Sequence, residues 1–251
     1  MSDASPSFQP HYFAELAQVE SRNFWFRARN RLIVWALGRH FPAARSFLEI
    51  GCGTGFVLAG IAAARPELAL AASDVHSEGL AFAARRVPGA RFFQADARRL
   101  DFHGEFDVVG AFDVLEHVTE DEEVLRAMRR ALRPGGGVLI TVPQHPALWS
   151  VQDEHAGHRR RYTRAELAAK LGRAGFAHIR ATSFVSLLLP VMALARVRKR
   201  RTADPFEELR IAGIANLLLE RVLDVERGLI RLGVSFPFGG SLLVAARKAA
   251  P

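Results

Sequence analysis

Through the middle of the chain, short apolar runs alternate with longer stretches whose apolar positions recur at helical spacing. Phe47–Ile50 stops at a glycine cluster, as a buried parallel strand does. Phe56–Ala64 then reads as a helix, Leu68–Ser73 as a strand, Glu78–Arg86 as a helix and Arg91–Gln94 as a third strand. Phe106–Phe112 is a fourth strand. Glu120–Leu132 is an amphipathic helix closed by Arg133-Pro134-Gly135, and Gly137–Val142 is a fifth strand. Strands and helices alternating at this spacing predict βαβ units around a parallel sheet. Upstream, residues 11–20 and Phe24–Arg39 read as helices, and His40–Arg45 as a linker. Downstream, Thr163–Ala174 is a helix with Thr163 as N-cap and Glu166 three residues on, as in a capping box. Gly175 stops it. Phe176–Phe184 is a sixth strand and Ser241–Ala246 a seventh, separated by helical stretches at Leu187–Val197 and Pro205–Leu232. The expected architecture is α/β, a doubly wound seven-stranded and mostly parallel sheet. Residues 1–45 form an N-terminal helical cap, 46–184 plus 238–251 the core, and 185–237 a helical insertion. An insertion that long is more often functional than idle.

With 251 residues, 49% of them hydrophobic, the chain can bury a sizeable core. Its single cysteine, Cys52, excludes a disulfide framework and a cysteine-based zinc site. The start MSDASPSFQP lacks the positive charge and apolar run of a secretory signal, so a cytoplasmic location is expected. The apolar run Phe184–Val197 is interrupted by Pro190 and Arg196 and is too short to span a bilayer. A net charge of +8 admits a nucleic acid, an anionic membrane surface or a phosphorylated substrate, or reflects nothing more than heavy use of arginine.

Candidate chemistry begins where the first strand ends. Glu49-Ile-Gly51-Cys52-Gly53-Thr-Gly55 joins that strand to a helix, and its glycines let the backbone turn tightly and approach a ligand. Free N–H groups at the helix start favour negative or polar ligand atoms. The spacing is G-x-G-x-G, whereas a dinucleotide site prefers G-x-G-x-x-G, which disfavours NAD. Asp74 ends the second strand, where a carboxylate can accept both hydroxyls of a ribose. Asp96 ends the third, within reach of an adenine amino group. Together with Asp113 after the fourth strand, these residues fall on one edge of the sheet, where open α/β sheets bind ligands.

Phe47-Leu-Glu-Ile-Gly-Cys-Gly-Thr-Gly55 resembles motif I of the class I S-adenosylmethionine (SAM)-dependent methyltransferases. Phe106-Asp-Val-Val-Gly-Ala-Phe-Asp-Val-Leu-Glu-His-Val118 and Leu132-Arg-Pro-Gly-Gly-Gly-Val-Leu-Ile-Thr-Val-Pro143 resemble later motifs of that family, in the ubiquinone/menaquinone-biosynthesis type of small-molecule enzyme. The resemblance covers roughly residues 45–145 and implies a Rossmann-like methyltransferase fold with SAM as cofactor and S-adenosylhomocysteine (SAH) as its product. It implies that Glu49, Gly51, Gly53 and Gly55, with Cys52 among them, shape the methionine pocket. Asp74, with Val75 beside it, would hold the ribose, and Asp96 and Ala97 would meet the adenine. Phe112 would lie near the sulfonium, with Asp113 and His117 lining the cleft. Arg27 would pair with the methionine carboxylate, or else belong to an amphipathic cap helix. Some quinone-pathway O-methyltransferases hold a divalent ion near the position of Asp113, Glu116 and His117. The same Glu-His pair also occurs in metal-free relatives, and no metal is expected here.

Gln144–Tyr162 would hang over the acceptor side of the cleft. Methyl transfer is an in-line displacement in which positioning dominates. An undissociated hydroxyl or a carbon acid also needs a base, usually histidine near neutral pH. His155 and His158 are the candidates, with His117 and Tyr162 as further catalytic residues; the alternative is a polar lid. Arg159-Arg160-Arg161 would suit a phosphate or carboxylate on the acceptor. The Phe184–Ala195 run followed by Arg196–Arg201 suits a peripheral contact with the inner membrane surface through 184–201, or a solvated helix end. Leucines in 217–232 read as core packing or a homodimer face. The reading is a methyltransferase acting on a small or lipid-like acceptor, with O-methylation favoured. The alternatives are an RNA methyltransferase and a non-catalytic SAM-binding partner subunit. Against RNA, the chain lacks aromatic-basic interleaving and an Asn/Asp-Pro-Pro-Tyr/Phe motif after the fourth strand.

Overall fold

The computed structural model describes residues 12–198, 211 and 213–249. Its strands are β1 (Ser46–Ile50), β2 (Ala69–Asp74), β3 (Arg91–Gln94), β4 (Phe106–Phe112), β5 (Leu132–Pro143), β6 (Phe176–Phe184) and β7 (Ser241–Lys248). They form one sheet in the order β3-β2-β1-β4-β5-β7-β6. β1 to β5 pair in parallel, and β7 runs antiparallel to both neighbours. The helices are α1 (Tyr12–Val19), α2 (Phe24–His40), α3 (Phe56–Ala64), α4 (Ser77–Arg86), α5 (Asp121–Ala131), α6 (Val151–His155), α7 (Arg164–Arg173), α8 (Leu189–Arg198) and α9 (Gly213–Arg231). The strand order reverses between β1 and β4, the switch point where such sheets open a crevice at their carboxyl ends.

Alternation along the strands builds two cores. Phe47, Val108, Phe112, Leu139 and Leu243 pack with α2, α3 and α9 on one face. Leu48, Ile50, Val109, Ala111, Val138 and Ile140 pack with α5 and α7 on the other. Buried on both faces, the central strands read as continuous apolar runs. Asn23 caps α2 by accepting the Trp25 N–H at 2.9 Å. Thr163 accepts the Glu166 N–H at 3.1 Å to start α7, while the Glu166 carboxylate turns to Lys170 at 3.5 Å.

One boundary differs from the sequence expectation. Arg133-Pro134-Gly135 does not close a turn outside the sheet. The strand already begins at Leu132, opposite Phe106, and the ladder resumes at Val108 and Gly137 after an irregularity. Its proline and glycines locally break the pattern of a strand that tertiary pairing nonetheless extends. The helix expected over Pro205–Leu232 is described as α9 from Gly213; residues 205–210 and 212 lie outside the described residues, as do Lys199–Arg201 of the basic run.

The insertion is clasped to the cap. Leu223 and Ile230 of α9 enter the core beside α2. The buried Glu220 pairs with Arg27 at 3.2 Å and with Arg31 at 2.8 Å. Asn216 accepts the Phe24 N–H at 2.8 Å. Glu226 accepts the N–H groups of Ser186 and Leu187 at 2.7 and 2.8 Å, fixing the exit from β6. No helix among the described residues is long and apolar enough to cross a membrane.

On the opposite face a buried knot forms around Asp121. Its Oδ2 accepts from the Tyr162 hydroxyl at 2.7 Å and from Lys170 Nζ at 2.5 Å, with Arg160 at 3.2 Å. Removing one partner of such a cluster strands buried charge. Asp121→Ala is therefore expected to lower stability by about 3–5 kcal/mol in urea unfolding; a loss below about 1 kcal/mol, the scale of an exposed pair, would contradict this account.

Candidate functional site

The loop leaving β1 turns through three glycines with positive φ: 64° at Gly51, 51° at Gly53 and 76° at Gly55. A Cβ on Gly51 would lie 2.6 Å from Val114 Cγ2, and one on Gly55 would lie 2.8 Å from the Ala83 backbone. Only glycine fits both the conformation and the space. Asp74 at the end of β2 fixes the loop, its Oδ2 accepting the Gly53 N–H at 2.8 Å and its Oδ1 the His76 N–H at 2.9 Å. Each oxygen keeps a further lone pair. Cys52 is buried within the loop, its N–H donating to Ser73 O; burial pushes its thiol up.

Beside this loop lies a group of buried acids around one arginine. Arg29 on α2 is buried against the Trp25 ring and reaches Asp113 Oδ2 at 2.6 Å. Asp113 sits at φ 57°, a strained conformation for a non-glycine residue, held by Thr141 Oγ1 at 3.2 Å and by Arg29. Glu49 is buried, and burial, with Asp74 and Glu20 adding to it against Arg29, pushes its carboxyl up to about 8. Its Oε2 has no hydrogen-bond partner. Glu116 is fully buried with neither oxygen hydrogen-bonded. Burial and the nearby Asp113 raise it well above the carboxylate range.

The histidines meet this group from the other side. The segment Ser150–His158 contains α6, and Asp153 is its buried anchor. Asp153 Oδ2 accepts from the Ser150 N–H at 2.8 Å, and Oδ1 takes His158 Nδ1 and Arg161 Nε, both at 2.8 Å. Burial works to raise Asp153, but His158 and Arg161 outweigh it and hold the carboxyl at about 2. His158 Nε2 faces Glu116 Oε1 at 3.9 Å. Its ring meets His117 edge-on, centroids 4.8 Å apart. Burial, with His158 second, lowers His117 to about 4. Ligand atoms of Glu116, His117 and His158 lie within 4.8 Å of one another.

Thus Glu49, Gly51, Cys52, Gly53, Gly55, Asp74, Asp113, His117 and His158 converge along the β1, β2 and β4 ends. Other expected residues lie apart. Arg27 points to α9 and Glu220, and the inward arginine is Arg29. Asp96 is gripped by Arg98 through Nε at 3.0 Å and Nη2 at 2.6 Å, which holds its carboxyl below the usual range. Ala97 is half-buried against the α5-side core, and Val75 is 56% exposed. Phe112 is buried and stacks on Phe47 at 6.5 Å. Tyr162 is wholly buried with its hydroxyl given to Asp121, and burial raises it. His155 is half-buried at the end of α6 with Nδ1 unpartnered. Of the Arg159–Arg161 run, Arg160 reaches Asp121 and the buried Arg161 reaches Asp153, while exposed Arg159 donates from Nε to His117 O.

Sequence reasoning missed Arg29 and a latch over the glycine loop. Buried Glu20 accepts from Thr54 Oγ1 at 2.6 Å and pairs with Arg86, which also donates to Ala17 O at 3.1 Å. Phe13 of α1 packs over Gly79 close by. Nothing local marks Glu20 or Arg86; the signal for Arg29 was its place in an otherwise apolar helix face.

The donor set suits a nucleoside joined to an amino acid. A hydroxyl pair can meet Asp74, and the orphaned Oε2 of Glu49 is an acceptor for an ammonium. A methyltransferase-domain family model matches residues 47–136. A probable SAM-dependent methyltransferase of Mycolicibacterium smegmatis is 31% identical over 162 residues, 63% of this chain and 61% of that protein. A ubiquinone biosynthesis O-methyltransferase of Pseudomonas aeruginosa is 29% identical over 45% of this chain and 50% of its own length. The chain thus spans between half and about three fifths of these relatives. In fold, it resembles a possible histamine N-methyltransferase of Thermotoga maritima with a TM-score of 0.61, 14% identity and 95% of each chain covered. Motif, sheet order and matched residues agree: over residues 47–136 the chain is similar to the methyltransferase domain, and its relatives include SAM-dependent methyltransferases.

Proposed function

We propose that the chain transfers a methyl group from SAM to a hydroxyl of a small or lipid-like acceptor, with His158 as general base. The cofactor supplies an electrophilic methyl on a sulfonium. Glu49, Asp74 and the glycine loop bind it. Arg29, rather than Arg27, is the cap residue nearest the acids and is the candidate partner for its carboxylate, its Nε being buried without a hydrogen-bond partner. Asp96 would have to share its carboxylate with Arg98 to meet an adenine.

The observation that carries the base assignment is the Asp153–His158 pair. Asp153 holds Nδ1, leaving Nε2 directed toward the strand ends. The buried carboxylate orients the ring and stabilises the imidazolium formed as it takes the acceptor's proton. His117, held near 4, is a weak base at neutral pH. Tyr162 is committed to Asp121 and is left out of the reading. Exposed Leu187, Val191 and Leu194 beside β6 support an apolar acceptor or a bilayer next to the site. His158→Ala is expected to lower kcat about a hundredfold or more while leaving SAM affinity unchanged. The check is transfer of labelled methyl from SAM across a panel of phenolic and aliphatic hydroxyl acceptors. Normal turnover would remove His158 as the base.

Glu49 yields a linkage prediction. With its carboxyl at about 8, it is protonated at pH 7. An arriving ammonium favours the carboxylate and lowers that value. SAM binding at pH 7 should therefore release a proton, seen as a binding enthalpy that depends on the buffer's ionisation heat. Glu49→Gln should abolish that dependence.

A second reading has one observation in its favour. Glu116, His117 and His158 offer a carboxylate and two imidazoles close together, a set that suits a divalent transition ion. Asp153 on the far nitrogen of His158 is the usual outer partner of such a ligand. In that case EDTA would abolish turnover and Mn²⁺ or Zn²⁺ would restore it. Indifference to EDTA leaves His158 as a metal-free base.

A further inference from the structure

At the opposite edge of the sheet, a groove of about 410 Å³ opens between the end of α2 and strands β6 and β7. Arg39, His40, His178, Arg180 and Arg247 line it together with Phe41, Ala245 and Ala246, and no acid is among them. We infer that this groove is a second binding site, separate from the strand-end site, for a phosphate or diphosphate group.

Three observations support it. The size is that of a small-ligand pocket. The charge is not neutralised: Arg39 and Arg180 have no ion-pair partner among the described residues, and Arg247 bonds only to carbonyls, His40 O at 2.5 Å and Gly135 O at 3.1 Å. One or two cations would offset the negative end of the α2 dipole; three guanidiniums and two imidazoles exceed that need. The site is also partly organised. Arg247 lies over the Phe41 ring at 4.5 Å and is tied at two nitrogens, so its plane is set before a ligand arrives. His178 holds φ 50° at the register shift between Ala177 and Arg180. His40, half-buried, titrates below its usual range, through burial first and then the charges of Arg39, Arg180 and Arg247.

The groove is remote from the transfer chemistry. β7 pairs with β5 so that Arg247 faces Gly137 and Ser241 faces Pro143. The intervening residues of β5 span about 20 Å at the rise of a strand. A group held there does not touch the acceptor. It either regulates the enzyme as a free phosphorylated metabolite or fixes it to a phosphate-bearing surface.

The test is an NMR titration of the full chain with inorganic pyrophosphate, following the His40 and His178 imidazoles. Saturable shifts are expected, with the His40 pKa moving up because the anion favours its imidazolium. The Arg39→Ala/Arg180→Ala double variant should bind about tenfold or more weakly, since each guanidinium supplies a charge-assisted hydrogen bond. Both side chains are exposed, so the fold should persist. Absence of saturable shifts, or equal affinity in the double variant, would overturn the assignment. A parallel sedimentation assay with phosphatidylglycerol vesicles separates the sources. Sedimentation that pyrophosphate competes away and the double variant loses identifies a lipid headgroup; pyrophosphate binding without sedimentation identifies a free phosphate.

Discussion

The ion pair between Arg29 and Asp113 is the contact on which the strand-end site depends. It joins the cap helix to the end of β4 at the switch point of the sheet. It also places one buried positive charge among Glu20, Glu49, Asp113 and Glu116. Its charge opposes their mutual repulsion in a low-dielectric space, yet burial still holds Glu49 protonated at pH 7 and Glu116 well above the carboxylate range. The Oε2 of Glu49 and both oxygens of Glu116 keep no hydrogen-bond partner. The same helix holds Glu220 of α9 through Arg27 and Arg31. Alternate faces of α2 thus serve the site and the insertion.

A second anchor acts on the acceptor side. Asp153 gathers Ser150, His158 and Arg161 on its two oxygens and converts a polar loop into a fixed frame. Its depressed carboxyl contributes stability above the ordinary aspartate range, and that contribution is lost as pH falls toward about 2. The frame leaves His158 Nε2 uncommitted to a strong partner. The two anchors meet at Glu116, which lies near both Asp113 and His158.

The sheet was legible because its strands obey local rules. Buried on both faces, β1, β4 and β5 leave apolar runs, ended by Gly51, Asp113 and Pro143, and the glycine loop is dictated by positive φ at Gly51, Gly53 and Gly55. The start of β5 was not, because pairing of Leu132 with Phe106 overrides the turn chemistry of Pro134 and Gly135. Side-chain partners were less legible than positions. Arg27 was singled out and Arg29 missed, because what separates them is the helix phase against α9 and β4. Asp96 looked available because its bond to Arg98 depends on side-chain geometry, not spacing. The arginine run 159–161 read as an open anion site, yet buried Asp121 and Asp153 claim two of its members. Tyr162 read as a catalytic candidate for the same reason: its hydroxyl goes to Asp121 of α5, which is distant in sequence.

The central claim is that Glu49, Asp74 and the glycine loop hold SAM. Calorimetric titration of the cofactor-stripped protein with SAM, SAH and NAD⁺ tests it most directly. The account predicts saturable one-site binding of SAM and SAH, weakened in Asp74→Ala, and no binding of NAD⁺. A folded protein that binds neither SAM nor SAH would contradict it.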